Sequence, residues 1–341
     1  MKGLSPIISI ILLLLLVVAA TGGYTLYVTG LTDSTKNKYE QNIVYPQNPP
    51  IVQGIHCFPG YGWFDVVDSG TSGINGTVIQ ALSGDISKTS NRVINISSYG
   101  RIYFGLPGQV GNTINVKLYT PHWEIAERCT VREDKDLRLH LLFDEGTGAT
   151  TQDSSPYDAT VAKSEPVWVS GLSGYALDFN GTSDFVQVTI DKDLYAIEHM
   201  STCIWFNASD TSTGSYQTLI VRNGANSWDL LLDPTGKLYG EIRTKDGTYN
   251  SIIGSTVSND LLWNLACLTF NGTTISLYLN GTLDNQTVHT SPGLLYQHIT
   301  QDINIGGGWT TYWYGGALDG VHIYDEALPA DAIYALYEAY N

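Results

Sequence analysis

The chain has 341 residues, which is enough for two folded domains beyond a hydrophobic N-terminal segment. Charged residues make up 15% of it, and the formal net charge is -16. Binding to nucleic acid needs clustered lysine and arginine, so the composition excludes nucleic acid as an expected partner. The 35 glycines and 22 tyrosines are typical of an extracellular β protein.

The N-terminus carries a long apolar segment. No charged residue occurs between Lys2 and Asp33. Ser5 is a good N-cap, and Pro6 suits the first helical position. A helix rising about 1.5 Å per residue over this stretch exceeds the roughly 30 Å hydrocarbon core of a bilayer. The sequence therefore predicts a hydrophobic helix that can span a membrane.

Three interpretations of this segment remain open. It is compatible with a secretory signal peptide, because the small residues at 18–20 suit a signal peptidase. It is also compatible with a permanent anchor that keeps Lys2 on the inner side of the membrane. The third interpretation is a resemblance: Lys2 followed by Gly3-Leu4-Ser5-Pro6 and the apolar run looks like the class III leader of archaeal type IV pilins.

The pilin resemblance implies a processing site between Gly3 and Leu4. A prepilin peptidase would remove residues 1–3 as a leader, and the hydrophobic helix, residues 4–31, would stay on the mature chain. The helix would first hold the subunit in the membrane and later pack with its copies in a filament core. Bacterial pilins carry a glutamate near the start of this helix. Here no acidic residue precedes Asp33, and archaeal members of the group generally lack it too.

Residues 32–50 and 51–133 have the patterns of a spacer and a small β-domain. The first stretch is polar and ends in Tyr45-Pro46-Gln47-Asn48-Pro49-Pro50, which predicts an extended polyproline-like linker. The second consists of short β-type runs separated by glycine, serine and asparagine, which predicts an antiparallel β-sandwich. Its size and position resemble the small β-domain that archaeal pilins carry behind their helix.

Residues 134–341 contain a second and longer β pattern. Its motifs occur in the order of a laminin G-like domain, which they resemble: Leu139–Gly148, Asp153–Ser155, Tyr175–Gly181, Ser201–Phe206, Trp263–Gly272, Ile275–Gly281 and Gly315–Tyr324. The resemblance implies a concanavalin A-like jelly roll. Asn-Gly and Asp-Gly pairs predict tight hairpins, and Pro329–Tyr340 predicts a short final helix. The predicted fold class is an N-terminal hydrophobic α-helix plus all-β structure, with a small β-sandwich followed by the jelly roll.

The four cysteines have no metal-binding spacing. An exported chain meets an oxidising environment, so two disulfides are expected. Pairing Cys57 with Cys129 would link the ends of the smaller domain, and pairing Cys203 with Cys267 would join two strands of the larger one. Four buried free thiols remain the alternative.

Export would also expose asparagine sequons to glycosylation. The Asn-x-Ser/Thr sequences lie at Asn75, Asn95, Asn180, Asn207, Asn271, Asn280 and Asn285. Part of this set is chance, because asparagine, serine and threonine are common in the chain. Asn207 also lies close to a predicted strand.

Catalysis is not expected. Retaining glycosidases place two carboxyls about 5 Å apart, and no predicted strand carries acidic residues at i, i+2 and i+4. Asp144 and Glu145 are adjacent and would point to opposite faces of a strand. Asp229 and Asp233 flank a predicted turn, where hairpin geometry is the simpler role. The histidines show no zinc-binding pattern, so the chain is expected not to be an enzyme.

Binding is the stronger expectation for the larger domain. Three glycines precede an aromatic loop, and sugar rings stack on aromatic faces. The candidate glycan-binding residues are Trp309, Tyr312 and Trp313; the alternative is that these tryptophans cover a sheet edge and that Tyr314 belongs to the core. The laminin G-like resemblance also implies calcium as a candidate cofactor. Its candidate ligands are Asp153, Asp184 and Asp319.

Together these patterns predict a structural subunit of an archaeal type IV pilus-like extracellular filament, with the laminin G-like domain as an exposed head. Its partners would be copies of itself, the membrane before assembly, and glycans or cell surfaces. A membrane-tethered or pilus-tip glycan-binding adhesin and a secreted lectin remain open alternatives. N-terminal sequencing separates the three, because a pilin would begin at Leu4, an anchored protein near Met1 and a secreted form at Thr21.

Overall fold

The computed structural model describes residues 51–67, 77–83, 86–92, 99–106, 109–119, 124–189, 198–222, 227–258, 260–296, 302–307 and 311–340. The predicted leader, hydrophobic helix and linker, residues 1–50, lie outside this set. Within it, no helix combines the length and the apolar character needed to cross a bilayer.

The first part of the chain forms short strands. They are β1 (Ile51–Phe58), β2 (Gly60–Val67), β3 (Thr77–Ser83), β4 (Ile86–Arg92), β5 (Tyr99–Leu106), β6 (Thr113–Tyr119) and β7 (Glu124–Thr130). One sheet has the order β1-β2-β5, and another has the order β4-β3-β6-β7. Strand β3 pairs antiparallel with both β4 and β6.

The chain divides into two compact units. The described part of the first unit covers segments within 51–55, 63–102 and 113–129. Its buried apolar side chains include Phe64, Val66, Ile102, Val116 and Leu118.

The second unit consists of His56–Gly62, Tyr103–Asn112 and Thr130–Asn341. Two segments that precede the expected boundary at residue 133 thus group with the larger unit. Its further strands are β8 (Leu137–Leu141), β9 (Val161–Lys163), β10 (Val167–Ser170), β11 (Tyr175–Asn180), β12 (Val186–Val188), β13 (Met200–Ala208), β14 (Gln217–Arg222), β15 (Trp228–Leu232), β16 (Lys237–Arg243), β17 (Tyr249–Val257), β18 (Asn264–Phe270), β19 (Thr274–Leu279), β20 (Thr282–Val288), β21 (Ile303–Ile305) and β22 (Gly315–Tyr324). Helix α1 (Ala330–Tyr340) follows them.

Two sheets build the second unit. The eight-stranded sheet has the order β10-β11-β22-β13-β18-β19-β20, with β8 also paired to β22. The seven-stranded sheet has the order β17-β16-β15-β14-β21-β12-β9. The described pairings between neighbours in these two sheets are antiparallel, for example β13 with β18 and β15 with β16. The prediction of mostly antiparallel β-structure is confirmed.

The inner faces of these two sheets share one apolar core. Side chains alternate across a strand, so Ile204 and Phe206 of β13 face inward with Leu268 of β18. Trp228 of β15 and Ile242 of β16 belong to the same buried cluster. Each of these side chains is at most 1% exposed. The large inward side chains explain why the two sheets are closed against each other.

The outer face of the eight-stranded sheet is also covered. Trp205 of β13 points away from the inner core and stacks on Tyr337 of α1, with ring centroids 5.6 Å apart. The helix also lies close to Gly105, where an added Cβ would come within 2.6 Å of the backbone nitrogen of Ala339. The final helix predicted from the sequence is thereby confirmed, and its role is to bury this outer face.

Two histidines lie in this outer layer. His140 of β8 and His322 of β22 occupy opposed positions and stack with ring centroids 4.5 Å apart. Burial lowers the pKa of His322 to about 4, although a hydrogen bond to the Gly320 carbonyl acts the other way. Burial, followed by the neighbouring His322, holds the pKa of His140 well below its usual value. Among the described residues, neither ring nitrogen of His140 has a hydrogen-bond partner.

Disulfides are present, as expected for an exported chain. Cys203 and Cys267 are bonded to each other across the β13–β18 pair. Cys57 and Cys129 are also disulfide-bonded, so no cysteine is free. Such disulfides are typical of extracellular or secreted proteins.

The predicted hairpin chemistry is visible at two turns. Between β19 and β20, Asn280 and Gly281 both have positive φ angles, 51° and 77°, as a type I′ turn requires. Before β16, Gly236 has a φ of 83°, and its amide donates to the Asp233 carbonyl over 3.0 Å. Local turn residues therefore fix how these strands connect.

Candidate functional site

A cleft of about 260 Å³ lies at one end of the two-sheet unit. It forms where the loop after β13 meets the segment before β22. Its lining residues are Gly181, Ser209, Asp210, Thr213, Ser215, Tyr216, Gln217, Thr311, Trp313 and Gly315. The volume lies slightly below the range of roughly 300–1,000 Å³ for small-molecule sites. The cleft therefore suits a small ligand or one terminal unit of a larger one.

The loop at 209–216 is held in place by hydrogen bonds. The side-chain amide of Gln217, itself buried, donates to the Asp210 carbonyl over 2.8 Å. The backbone N–H of Thr211 donates to the Asp260 carboxylate over 2.6 Å. The Ser212 hydroxyl donates to the Thr235 carbonyl over 3.1 Å. These contacts preorganise one wall of the cleft before any ligand binds.

Aromatic side chains also line and support the cleft. Trp313 is half-buried, and its indole lies against Gly307, where a Cβ would overlap the ring. Tyr216 contacts both Tyr312 and Tyr239, with ring centroids 5.3 Å apart in each pair. The Tyr312 carbonyl accepts the Thr218 N–H over 3.0 Å, which fixes the segment to β14. The cleft thus joins a flat apolar surface to a polar loop.

The glycan-binding residues predicted from sequence are only partly placed by the structure. Tyr312 and Trp313 are half-buried, Trp313 lines the cleft, and Tyr312 supports its wall through Tyr216. Trp309 lies outside the described residues. Tyr314 is fully buried and meets Phe179 edge to face at 6.2 Å. The core interpretation is therefore the one that fits Tyr314.

Sequence reasoning missed the other half of the cleft. Asp210, Thr213 and Tyr216 come from a polar loop about a hundred residues earlier than Trp313, and Gln217 begins the strand that follows this loop. A polar run of this length between two apolar strands was the available signal, because loops at the ends of sandwiches carry binding residues. Nothing local in that run indicated that it would meet the aromatic segment.

The three aspartates predicted as calcium ligands do not come together. Asp153 accepts backbone N–H groups from His140, Ser155 and Ala159. Asp184 binds both the backbone and the side-chain nitrogen of Asn180. Within the described residues there is no group of three or more histidine, cysteine, aspartate or glutamate side chains that could hold a metal ion. The residues do not fit the calcium site that the resemblance implied.

Asp319, the third of these aspartates, is buried on the outer face of the eight-stranded sheet. Its carboxylate accepts the N–H groups of Leu172 and Gly320 over 3.0 Å and 2.8 Å. The pKa of Asp319 is raised to about 8, chiefly by burial. The hydrogen bond from the Leu172 N–H acts against this increase, and the charge of the nearby Asp144 adds to it. Asp144 in turn accepts the Tyr175 N–H over 2.9 Å. Both carboxylates therefore hold the β10–β11 hairpin.

A further carboxyl pair lies on the outer face of the seven-stranded sheet. Asp229 of β15 stands directly opposite Glu241 of β16. Burial and then the Glu241 charge raise the pKa of Asp229 to about 7. Tyr239 donates a 2.8 Å hydrogen bond to Glu241. Neither carboxyl lines the cleft.

The predicted glycosylation sites differ in their surroundings. Asn271 and Asn285 are exposed, whereas Asn207 is half-buried. Asn180 is exposed, but its amide nitrogen donates to Ser183 and Asp184. The Asn280 amide nitrogen donates to Asn264. Asn75 and Asn95 are outside the residues whose side chains the structure describes. All seven remain predictions.

Comparisons with known proteins bear on the domain that contains the cleft. Residues 180–334 match the laminin G family model described as the concanavalin A-like lectin/glucanases superfamily. A search of curated proteins gives no significant match.

Solved structures give a likeness of fold. The binding domain of Paraclostridial Mosquitocidal Protein 1 is 17% identical, with 59% of this chain and 52% of that chain covered and a TM-score of 0.50. The receptor-binding domain of botulinum neurotoxin mosaic serotype C/D is 19% identical, with 60% and 51% covered and a TM-score of 0.49. The botulinum neurotoxin serotype D ligand-binding domain in complex with N-acetylneuraminic acid is 20% identical, with 60% and 51% covered and a TM-score of 0.49.

This chain spans about half the length of these toxin domains. At such identities the likeness concerns the fold alone. The two antiparallel sheets and the family match agree with each other. Residues 180–334 therefore form a concanavalin A-like lectin domain of the laminin G type.

Proposed function

We propose that the protein binds glycans outside the cell and that the cleft is its sugar site. The observation that carries the proposal is the meeting of Trp313 and Tyr216 with Asp210, Thr213 and Gln217 in one cleft. An aromatic face packs against the C–H groups of a sugar ring, and hydroxyl, amide and carboxylate groups fix the ring through hydrogen bonds. The lectin-type family match over residues 180–334 includes every residue of this cleft and supports the proposal.

We further propose that the protein binds sugars without cleaving them. Hydrolysis by either common glycosidase mechanism needs two carboxyls that flank one glycosidic bond. Asp210 is the single carboxylate among the described residues that line the cleft. The adjacent residues Asp144 and Glu145, which the sequence pattern already disfavours as a catalytic pair, accept backbone N–H groups: Asp144 from Tyr175 and Glu145 from Gln152, over 2.9 Å and 2.7 Å. Release of reducing ends from a neutral oligosaccharide panel would contradict this part of the proposal.

The way in which the domain is attached to the cell stays a prediction from the sequence. The pilin-type leader, with cleavage between Gly3 and Leu4, and the helix at 4–31 lie outside the described residues. A membrane-tethered or filament-tip adhesin joins that prediction to the proposed sugar site. The expectation of a structural subunit of a pilus-like filament has no support in the described part of the chain.

The proposal is tested by binding of the purified protein to a glycan array, followed by titration with the best ligand. Trp313→Ala removes the flat wall of the cleft, so we expect about a tenfold loss of affinity. Trp168→Ala is the matched control. Trp168 is also half-buried and bonds the Gly148 carbonyl through its indole nitrogen, but it does not line the cleft.

The control variant should keep the affinity of the unaltered protein. Equal losses in Trp313→Ala and Trp168→Ala would show a general effect of destabilisation and would contradict the cleft assignment. Absence of binding to every glycan by the folded, disulfide-bonded protein would overturn the proposed function.

A further inference from the structure

The charged side chains at and near the cleft are mainly carboxylates. Asp210 is its only charged lining residue, and no lysine, arginine or histidine is found among the described residues that line it. Two more carboxylates hold the surrounding loops: Asp260 binds Thr211, and Asp233 accepts the Thr235 N–H over 2.8 Å. Lys237 begins the neighbouring strand, and its backbone N–H bonds Asp233, but it does not line the cleft. A ligand in the cleft therefore meets a negative potential.

Hydrogen bonds within its own loop hold Asp210, the one acidic residue among the described residues that line the cleft. Its Oδ1 accepts the Ser212 N–H over 2.8 Å, and its backbone carbonyl is bonded by Gln217. Asp210 is exposed and lines the cleft. A carboxylate oxygen accepts charge-assisted hydrogen bonds from donors such as sugar hydroxyls.

From this arrangement we infer that the cleft selects uncharged sugars and rejects acidic ones, such as sialic acid, uronic acids and sulfated sugars. This inference rests on the proposed function and names the ligand class of the same site. The hydroxyls of a neutral sugar would donate to Asp210 while its ring packs on Trp313. A carboxylate or sulfate on the sugar would bring a like charge near Asp210, and the described lining residues include no cation to offset it.

The inference is tested with matched ligands that differ by one acidic sugar. Lactose and sialyllactose, and cellobiose and its glucuronide counterpart, are titrated into the protein at low salt. In each pair that binds, we expect the affinity for the acidic sugar to be about one tenth of the affinity for the neutral sugar, a ratio of neutral to acidic affinity of about ten. In about 1 M salt, where the Debye length is about 3 Å, that ratio should shrink. A ratio unchanged by salt would point to steric exclusion and would overturn the electrostatic inference.

Asp210→Asn tests the residue directly. The asparagine keeps an oxygen that can accept the Ser212 N–H, so the loop should hold, and the acidic ligands should gain affinity relative to the neutral ones. Asp158→Asn is the matched control. Asp158 is exposed, lies outside the cleft and has a φ of 53°, which asparagine tolerates well. It removes the same charge and should leave the ratio unchanged.

The outcomes separate the two levels of the argument. If acidic glycans bind as tightly as neutral ones or more tightly, the charge inference fails while the proposed function stands. If Asp158→Asn changes the ratio as much as Asp210→Asn, net charge and not the cleft is responsible, and the inference fails. If no glycan binds at all, both fail.

Discussion

The two faces of the eight-stranded sheet are buried by different chemistry. The inner face presents apolar side chains such as Phe206 and Leu268 to the opposing sheet. The outer face presents Trp205, His140 and His322 to helix α1 and its surroundings. An apolar core is insensitive to pH, whereas buried imidazoles and carboxylates make stability depend on it. The comparison teaches that one sheet can hold a constant core on one side and a titratable layer on the other.

The largest effects come from neighbouring residues on β13 that point to opposite faces. Phe206→Ala should lower the free energy of unfolding by about 4 kcal/mol, because it leaves a cavity in the inner core. Trp205→Ala should cost about 3 kcal/mol and should also release α1, since Trp205 stacks on Tyr337. Urea unfolding gives the free energies, and hydrogen exchange reports on Ala330–Tyr340.

The two variants distinguish the inner face from the outer face only if they differ in how well the amides of α1 are protected from hydrogen exchange. Protection of α1 amides should persist in Phe206→Ala and fall in Trp205→Ala, measured under conditions where both remain folded. Equal protection in both would mean that the outer layer does not depend on this aromatic contact.

Acid should weaken the outer layer next. The pKa of His322 is lowered to about 4 in the folded state, against about 6.5 unfolded. The unfolded chain therefore binds more protons between these values, and the stability contribution is complete above pH 6.5 and lost as the pH falls toward 4. The loss should reach about 3 kcal/mol. Urea titrations from pH 7 to pH 4 measure it, and His322→Phe should flatten the slope.

The smallest expected effect has the opposite sign. The pKa of Asp319 is raised to about 8, against about 3.9 unfolded, so the folded state binds more protons and stability falls as the pH rises between these values. Asp319→Asn should remove this fall. At pH 8.5 we expect a net gain on the order of 1 kcal/mol, because lost hydrogen bonds to Leu172 or Gly320 offset part of the relief. Unfolding at pH 5 and pH 8.5 gives the difference. A variant that is equally destabilised at both pH values would show that the carboxylate serves only as an acceptor.

Local chemistry explains what the sequence could predict of the fold. The turn at Asn280 and Gly281 needs two positive φ angles, and an Asn-Gly pair predicts such a turn because both residues adopt them readily. The outer layer could not be predicted, because its components come from His56–Gly62, Tyr103–Asn112 and α1, which are remote in sequence. Besides the predicted final helix, the uninterrupted apolar run Cys203–Phe206 of β13 was a trace of it in the sequence, since a strand with one solvent face alternates.

Only part of the candidate site could be predicted from the sequence, again because residues remote in sequence come together in the fold. Trp313 stands in an aromatic run that draws attention by composition, whereas Asp210 and Tyr216 sit in an ordinary polar loop that only the fold brings to it. The search for carboxyl pairs within one strand also missed Asp229 and Glu241. Their opposition depends on the register of two strands, which a single-strand pattern does not contain.

The pairing of β8 with β22 has a consequence for how the chain is made. Leu137–Leu141 has its partner in Val321–Tyr324, near the other end of the larger unit. At ribosomal speeds of about 5–20 residues per second, the partner of the early strand is synthesised roughly ten to forty seconds later. Contacts of such long sequence separation also slow folding itself. During this interval the apolar residues of β8 lack their partner strand. The nascent chain must therefore be kept from contacts with other chains until β22 has been synthesised.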